Sequence, residues 1–278
     1  MLVIFNGQLI SESEKIFSSL SRTYRYGDGF FETIRVSGRR ALWIDLHTER
    51  LIRTSKILKY DWPEKLTDRY LDEAIHNLCW KTGNINARCR ITVFREGQGY
   101  YSPENPKTNF LIELEPLENQ KYSLNEKGLK LGEYGLIQKP SNILSLFKTT
   151  SAMPYVLAGM FAAENGVDAC ILFNDQGRVA EAHNSNIFVV QENDILTPSL
   201  SEYCLDGIMR KLIISLAREA GLNVVETALN PDELLYSDEI FLTNAVPGIR
   251  WVESFREKNY GYNTAFRLVD LLNSSAGF

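Results

Sequence analysis

Residues 116–128, Pro-Leu-Glu-Asn-Gln-Lys-Tyr-Ser-Leu-Asn-Glu-Lys-Gly, are the most polar stretch of this 278-residue chain. A run so poor in apolar side chains is a weak candidate for a core and a strong one for a connector. The lengths on either side are each sufficient for a domain of ordinary size. We therefore expect a first domain over 1–118, a connector at 119–125 and a second domain over 126–278.

Both parts mix strands and helices. In the first, Phe30–Val36 is rich in β-forming residues and Trp43–Leu58 reads as a helix. Ala74, Ile75, Leu78 and Cys79 follow Leu71 at helical spacing, with Gly83 as the stop. Cys89, Ile91 and Val93 alternate with Arg88, Arg90 and Thr92, the pattern of a half-buried strand. Phe110–Leu114 gives another.

In the second part Pro154 suits the first turn of a helix that ends near Gly166. Asn174-Asp175-Gln176-Gly177 reads as a hairpin turn between strands at Ala169–Phe173 and Arg178–Glu181, followed by a strand at Ser185–Val190. Asp206 is the expected N-cap of a helix carrying Leu212, Ile213, Leu216 and Ala220, stopped by Gly221. Strands at Leu222–Thr227 and Glu239–Asn244 and a helix at Thr264–Leu272 complete the pattern. The fold class expected is α/β (α+β): two domains with largely antiparallel sheets.

Several function classes are disfavoured. A net charge of −5 argues against a nucleic-acid surface. No apolar run approaches the roughly 18 residues needed to cross a bilayer, so no membrane partner is expected. Met1–Gly7 lacks a basic leader and does not read as a signal peptide. Cys79, Cys89, Cys170 and Cys204 lie far apart without CxxC spacing. Buried free thiols in a reducing compartment, with no metal site, are the expectation, and with them a cytoplasmic location.

Lys148 and Glu181 stand out on physical grounds. If Asn142–Lys148 is a strand, Lys148 shares a phase with Leu144 and Leu146, and so points inward. An inward amine is costly as an ammonium, and burial makes it a better nucleophile toward an aldehyde. Val179 and Glu181 likewise share a face if the strand after Gly177 is regular, and a buried carboxylate needs a cation. A Lys–Glu ion pair of purely structural meaning explains both residues equally well.

A set of motifs then runs in order through the chain. They are Tyr26-Gly27-Asp28-Gly29-Phe30-Phe31-Glu32-Thr33, His47-Thr48-Glu49-Arg50-Leu51, Lys148, Asp175-Gln176-Gly177 and Glu181. Ser185-Asn186-Ile187-Phe188, Leu205-Asp206-Gly207-Ile208-Met209-Arg210 and Asp238-Glu239-Ile240-Phe241-Leu242-Thr243-Asn244-Ala245 follow. Each is weak alone, but the ordered set resembles the fold-type IV (class IV aminotransferase) family of pyridoxal 5'-phosphate enzymes, in the two-domain form of D-amino-acid aminotransferase.

The resemblance implies a role for each motif. Lys148 would bond the cofactor covalently and shuttle the substrate proton, and Glu181 would pair with the pyridine nitrogen. Arg50 would hold the phosphate, with the backbone N–H groups of Ile208 and Met209 at a helix N-terminus. Asn244 and Ala245 would close that cup. A homodimer is also implied, with Tyr26 reaching the neighbour's cofactor, and the substrate would be a small carboxylated amine.

The family includes branched-chain and D-amino-acid aminotransferases and 4-amino-4-deoxychorismate lyases, whose product 4-aminobenzoate serves folate biosynthesis. Tyr26-Gly27-Asp28-Gly29 is similar to the lyase and D-aminotransferase form. Met209 is similar to the residue that lyases carry, and Thr33 sits where the lyase resemblance implies a proton-assisting hydroxyl. Arg95-Glu96-Gly97-Gln98-Gly99-Tyr100-Tyr101 resembles the lyase loop but lacks its second arginine, which favours a transaminase. Tyr26, Arg95 and Tyr101 are the candidate substrate contacts. A non-catalytic cofactor carrier is the third alternative, against which the retained Lys148, Glu181 and Arg50 argue.

Overall fold

The computed structural model describes residues 1–278, less the side chains of 105 and 106. The chain divides into two compact units: 1–120 with 148–151, and 121–147 with 152–278. Lys148–Ser151 belongs to the first unit, although both flanks belong to the second.

In the first unit β1 (Leu2–Phe5), β2 (Gln8–Ser11), β3 (Gly29–Ser37), β4 (Arg40–Ala41), β5 (Ala87–Gln98) and β6 (Glu104–Pro116) form one sheet, ordered β2-β1-β6-β5-β3-β4. Every pairing is antiparallel. The helices are α1 (Arg22–Tyr26), α2 (Ile44–Ile57) and α3 (Asp68–Thr82). Register sets Phe30 opposite Val93, Ile34 opposite Cys89 and Ile91 opposite Ile112. These side chains join Leu51 of α2 and Leu71, Ile75 and Leu78 of α3 in a buried core. Period two then sends Phe31, Thr33, Arg88 and Arg90 to the other face of the sheet. Thr67 caps α3 by accepting the Tyr70 N–H, and Gly83 ends it in the left-handed conformation.

The segment carrying Lys148 is held by β3. The Phe31 N–H donates to the Lys148 carbonyl at 2.9 Å and the Thr150 N–H to that of Gly29 at 2.9 Å, with Phe30 and Thr149 bridged between them. The expected strand through Leu144 and Leu146 is absent. Ile143–Leu146 is a 3-10 turn, capped where the Asn142 side chain accepts the Leu144 N–H, and Leu144 is half exposed. The phase argument for an inward Lys148 therefore fails, and pairing to β3 is what fixes this residue.

The second unit holds β7 (Leu129–Lys139), β8 (Ala169–Asn174), β9 (Val179–Ala182), β10 (Asn186–Gln191), β11 (Asp194–Pro198), β12 (Asn223–Thr227), β13 (Glu239–Asn244), β14 (Gly248–Phe255) and β15 (Lys258–Asn259). Its helices are α4 (Met153–Glu164), α5 (Ile208–Glu219) and α6 (Asn263–Ala276). The sheet runs β12-β11-β10-β13-β14-β7-β8-β9, with β15 on β14. As expected it is largely antiparallel, with three parallel pairings: β7 to β8 and to β14, and β11 to β12. Parallel neighbours need a crossover, and α4 and α5 supply two of them.

The Asn174–Gly177 turn forms, with the Asn174 side chain accepting the Gln176 and Arg178 N–H groups. A bulge then changes the phase of β9. Leu172 faces Glu181, but the next partner pair is Phe173 and Val179, so Ala180 is skipped. Val179 lies in the core with Ile171 and Ala182. Glu181 is instead opposite Leu172, which packs with α4. The carboxylate is buried as expected, but on the face that Val179 does not share.

Gly27 holds the Lys148 segment in place. Its φ is +63°, and a Cβ there would lie 2.5 Å from Ser151 Oγ. Gly27→Ala should destabilise the protein by about 1–2 kcal/mol from backbone strain, and should weaken cofactor retention through the shifted 148–151 segment. Urea unfolding and cofactor titration would check this; a variant with wild-type values for both would show that Gly27 does not hold the segment.

Candidate active site

In the first unit, a buried ion cluster sits between β3 and α2. Glu32 faces inward on β3, between Phe30 and Ile34 in the strand's alternation. Its Oε1 accepts Arg50 Nε at 2.6 Å, and its Oε2 accepts Arg50 Nη2 at 2.7 Å. His47 Nδ1 lies 2.7 Å from the same Oε2. His47, Arg50, Leu51 and Thr54 recur along the buried side of α2. Arg50 is thus a buried guanidinium oriented by a bidentate carboxylate.

The outer face of the same sheet gathers different groups. Lys148 is half-buried, with its ammonium 4.7 Å above the centre of the Phe31 ring. The Arg90 guanidinium lies 3.6 Å from that ring centre. Thr33 is directly opposite Arg90, which is opposite Glu113 on its other side. An amine, a hydroxyl, an aromatic ring and a guanidinium therefore share one face. Tyr26 and Tyr101 also meet, with ring centres 5.5 Å apart, and Tyr101 is exposed.

Arg95 is placed differently from its expected role. Nη1 donates to Asp28 at 2.8 Å, Nη2 donates to the Leu58 and Lys59 carbonyls, and the guanidinium stacks 3.8 Å from the Tyr60 ring centre. Arg22 completes this scaffold, donating to Asp28 and to the Gly99 and Tyr100 carbonyls. Arg22, on α1, thus ties the loop at Gly99 and Tyr100 to the aspartate that Arg95 also grips. The side-chain bonds of Arg95 go to structure.

In the second unit Glu181 is 3% exposed. Its Oε1 pairs with the buried ammonium of Lys139 and accepts the Tyr155 hydroxyl at 3.0 Å. Its Oε2 accepts the Leu205 N–H at 2.7 Å. Burial, then the adjacent carboxylate, pushes the Tyr155 hydroxyl far above the usual phenol range, so it acts as a neutral donor. The cation bonded to Glu181 within this unit is Lys139, which sequence reasoning missed. No regular phase marks it: Leu129 and Leu131 pack in one core cluster and Ile137 in another, and the register shifts between Tyr134 and Lys139.

The start of α5 is built by a close approach. Gly207, not Asp206, is the N-cap, while Asp206 lies 3.3 Å from Lys211 Nζ. A Cβ on Gly207 would fall 2.1 Å from Asn186 Oδ1, and Asn186 Nδ2 donates to the Leu205 carbonyl at 2.8 Å. Ile208 and Met209 occupy the first turn, with no side-chain cap and no acidic residue nearby in that turn. Asn244 bridges to the 184 loop through the Asn184 carbonyl, and the Ala245 carbonyl accepts the Tyr122 hydroxyl at 3.1 Å. Thr243, opposite Asn186, holds a buried Oγ1 with no hydrogen-bond partner among the described residues. Uncapped helix N–H groups and a buried hydroxyl awaiting a partner fit an oxyanion such as a phosphate.

The amino-transferase class IV family model matches residues 29–255. This chain belongs to that family. The aminodeoxychorismate lyase of Bacillus subtilis is 28% identical, over 94% of this chain and 88% of the relative. The branched-chain-amino-acid aminotransferase of Pseudomonas aeruginosa is 27% identical, over 87% of this chain and 80% of the relative. In fold, the chain matches the branched-chain aminotransferase of Thermoproteus uzoniensis with a TM-score of 0.91, at 24% identity over 100% of this chain and 95% of that one. A T.th. branched-chain aminotransferase holding pyridoxamine 5'-phosphate matches at 0.88, with 24% identity over 99% and 94%. The chain has the fold-type IV architecture, and as a class IV aminotransferase it is a pyridoxal-phosphate enzyme of the aminotransferase or lyase kind.

The cluster at Glu32 sets a pH dependence. Burial alone would raise its carboxyl, but Arg50 and His47 outweigh burial and hold it down at about 2, against an ordinary 4.5. A depressed folded-state value means the stabilisation is full above about 4.5 and is lost as pH falls toward about 2. Glu32→Gln strands a buried guanidinium and should cost about 3 kcal/mol or more at neutral pH, with the deficit shrinking across that acid window. Urea denaturation at a series of pH values, followed by tryptophan fluorescence, measures it; a deficit that does not vary with pH would contradict the assignment.

Proposed function

We propose that this class IV aminotransferase is a 4-amino-4-deoxychorismate lyase, which releases pyruvate and leaves 4-aminobenzoate for folate biosynthesis. The observation that carries the proposal is the outer face of β3. There the Lys148 ammonium lies over Phe31, with Thr33 two residues along and Arg90 beside both. That set offers a nucleophilic amine, a hydroxyl able to relay a proton and a cation for a substrate carboxylate. The Bacillus subtilis relative lends support through its name.

The bound cofactor supplies the electron sink that lets a proton leave the carbon beside the substrate nitrogen. Lys148 Nζ would hold the cofactor and move that proton, with Thr33 Oγ1 assisting its transfer. Glu181 would hold the ring nitrogen through a carboxylate oxygen. Arg50, oriented by Glu32 and His47, would hold the phosphate, and in the second unit the N–H groups of Ile208 and Met209 would donate to it. Asn244 and Ala245 shape the rim of that cup. Tyr26 and Tyr101 line the substrate side, and Arg95 serves by bracing Asp28, which also holds Arg22.

A homodimer suits the exposed apolar side chains. Met153, Val156 and Met160 of α4 are each more than half exposed, as are Tyr24, Tyr100 and Tyr101 in the first unit. No helix is long and apolar enough to cross a membrane. The four cysteines are buried free thiols, which supports a cytoplasmic, reducing setting.

A transaminase reading is favoured by one fact: Arg95, the arginine of the lyase-like loop, is committed to Asp28 and two backbone carbonyls. Two assays run side by side decide between the readings. One offers aminodeoxychorismate and follows 4-aminobenzoate; the other offers L- and D-amino acids and follows conversion of the cofactor to its amine form. We expect turnover in the first, and turnover confined to the second would replace the lyase by a transaminase. Purified protein should be yellow, and Lys148→Ala should lose the borohydride-reducible link to the cofactor. Peptide mapping that finds the link intact in that variant would move the site elsewhere. Glu181→Ala should retain cofactor but lose about tenfold or more in turnover, the scale of one hydrogen bond to a charged group.

A further inference from the structure

The acceptor sites of Glu181 are nearly filled. An ionised carboxylate offers about four lone-pair sites. On Oε1 two are taken, by the Lys139 ammonium and the Tyr155 hydroxyl; on Oε2 one is taken, by the Leu205 N–H. The remaining site is on Oε2. We propose that Lys139 is a positioning residue for the cofactor's ring nitrogen: its ammonium stands in for a proton on Glu181, keeping the group an anion with Oε2 available to the ring. The proposal rests on the reading of Glu181 as the ring-nitrogen partner.

The surroundings leave this task to Lys139. A carboxylate so deeply buried and deprived of a cation takes up a proton, and a protonated carboxyl cannot accept fully from a pyridinium N–H. The other groups around it are neutral. Tyr155 on α4 is a phenol, Leu205 offers a backbone amide, and burial pushes the nearby Cys204 thiol up to about 12. Two further charged side chains near Cys204 are engaged elsewhere: Arg210 with Glu226 and the Pro198 carbonyl, and Asp206 with Lys211. Among the described residues, Lys139 is the cation bonded to Glu181. It lies at the end of β7, beside a register shift that sets it opposite Asn174, and it is 4% exposed.

Infrared spectroscopy of the cofactor-free protein tests the proposal directly. Lys139→Met should show a protonated-carboxyl band at neutral pH. Wild type, Lys139→Arg and the double variant Lys139→Met/Glu181→Gln should all lack it. Absence of the band from Lys139→Met overturns the proposal; Lys139→Gln repeats the test where the methionine variant does not fold. A second measurement compares binding of pyridoxal 5'-phosphate with that of its 1-deaza analogue, which has no ring nitrogen. Wild type should prefer the cofactor, and Lys139→Met should lose about tenfold of that preference, because Glu181 must first shed a proton; Lys139→Arg should restore it. A purely structural role would weaken both ligands alike and refute the proposal. Wild-type protein with no preference would instead remove Glu181 from the ring nitrogen, and the role of Lys139 with it.

Discussion

A carboxylate taken out of water must be met by a cation or give up its charge. Each unit of this protein contains such a carboxylate, and much of the local architecture serves to meet it. Glu32 interrupts the apolar row of β3, and α2 answers with Arg50 and His47 on its buried side. Glu181 interrupts β9, and the end of β7, the start of α4 and the approach to α5 converge on it through Lys139, Tyr155 and Leu205. Strands already paired by their backbone ladders are thereby tied to helices and neighbouring segments by groups of definite geometry. Chemistry then becomes available where the charge already had to be placed.

The sequence made the scaffold readable wherever period and punctuation were regular. The alternation at Cys89–Val93 faces the core as expected, α3 stops at Gly83, and the Asn174–Gly177 turn joins two strands. Irregular backbone is what sequence periodicity cannot carry. A single skipped residue, Ala180, moved Glu181 to the face opposite Val179, so the expected burial occurred for a different reason. Likewise a capped 3-10 turn at Ile143–Leu146 replaces the strand whose phase would direct Lys148 inward. The ordered motifs carried more than their local periodicity did, because they matched a family across nearly the whole chain.

Partners of the site were harder to read than its principal residues. Lys139 precedes a proline in a polar stretch and looks like a surface lysine, yet it is the ion-pair partner of Glu181. Thr243 looks like an ordinary strand residue, and only its buried, unpartnered hydroxyl sets it apart. Arg95 presents the converse case. A loop-like arginine suggests a ligand contact, whereas the fold uses it to brace Asp28 and two carbonyls. Composition cannot distinguish a braced guanidinium from an available one, because the distinction lies in the third dimension.

The approach of Gly207 to Asn186 has a further consequence. With only 2.1 Å between the position of a Cβ and the amide oxygen, no side chain fits at 207 while α5 starts this close to β10. Its N-terminal turn thus depends on glycine, while Thr33 and Arg90 on one face of the first sheet and the exposed Tyr101 carry no such demand. A lineage could therefore trade those side chains and acquire a new substrate, leaving the anchorage for an anion untouched. Chemical diversification would then proceed by exchange of furnishings in a room whose walls stay put.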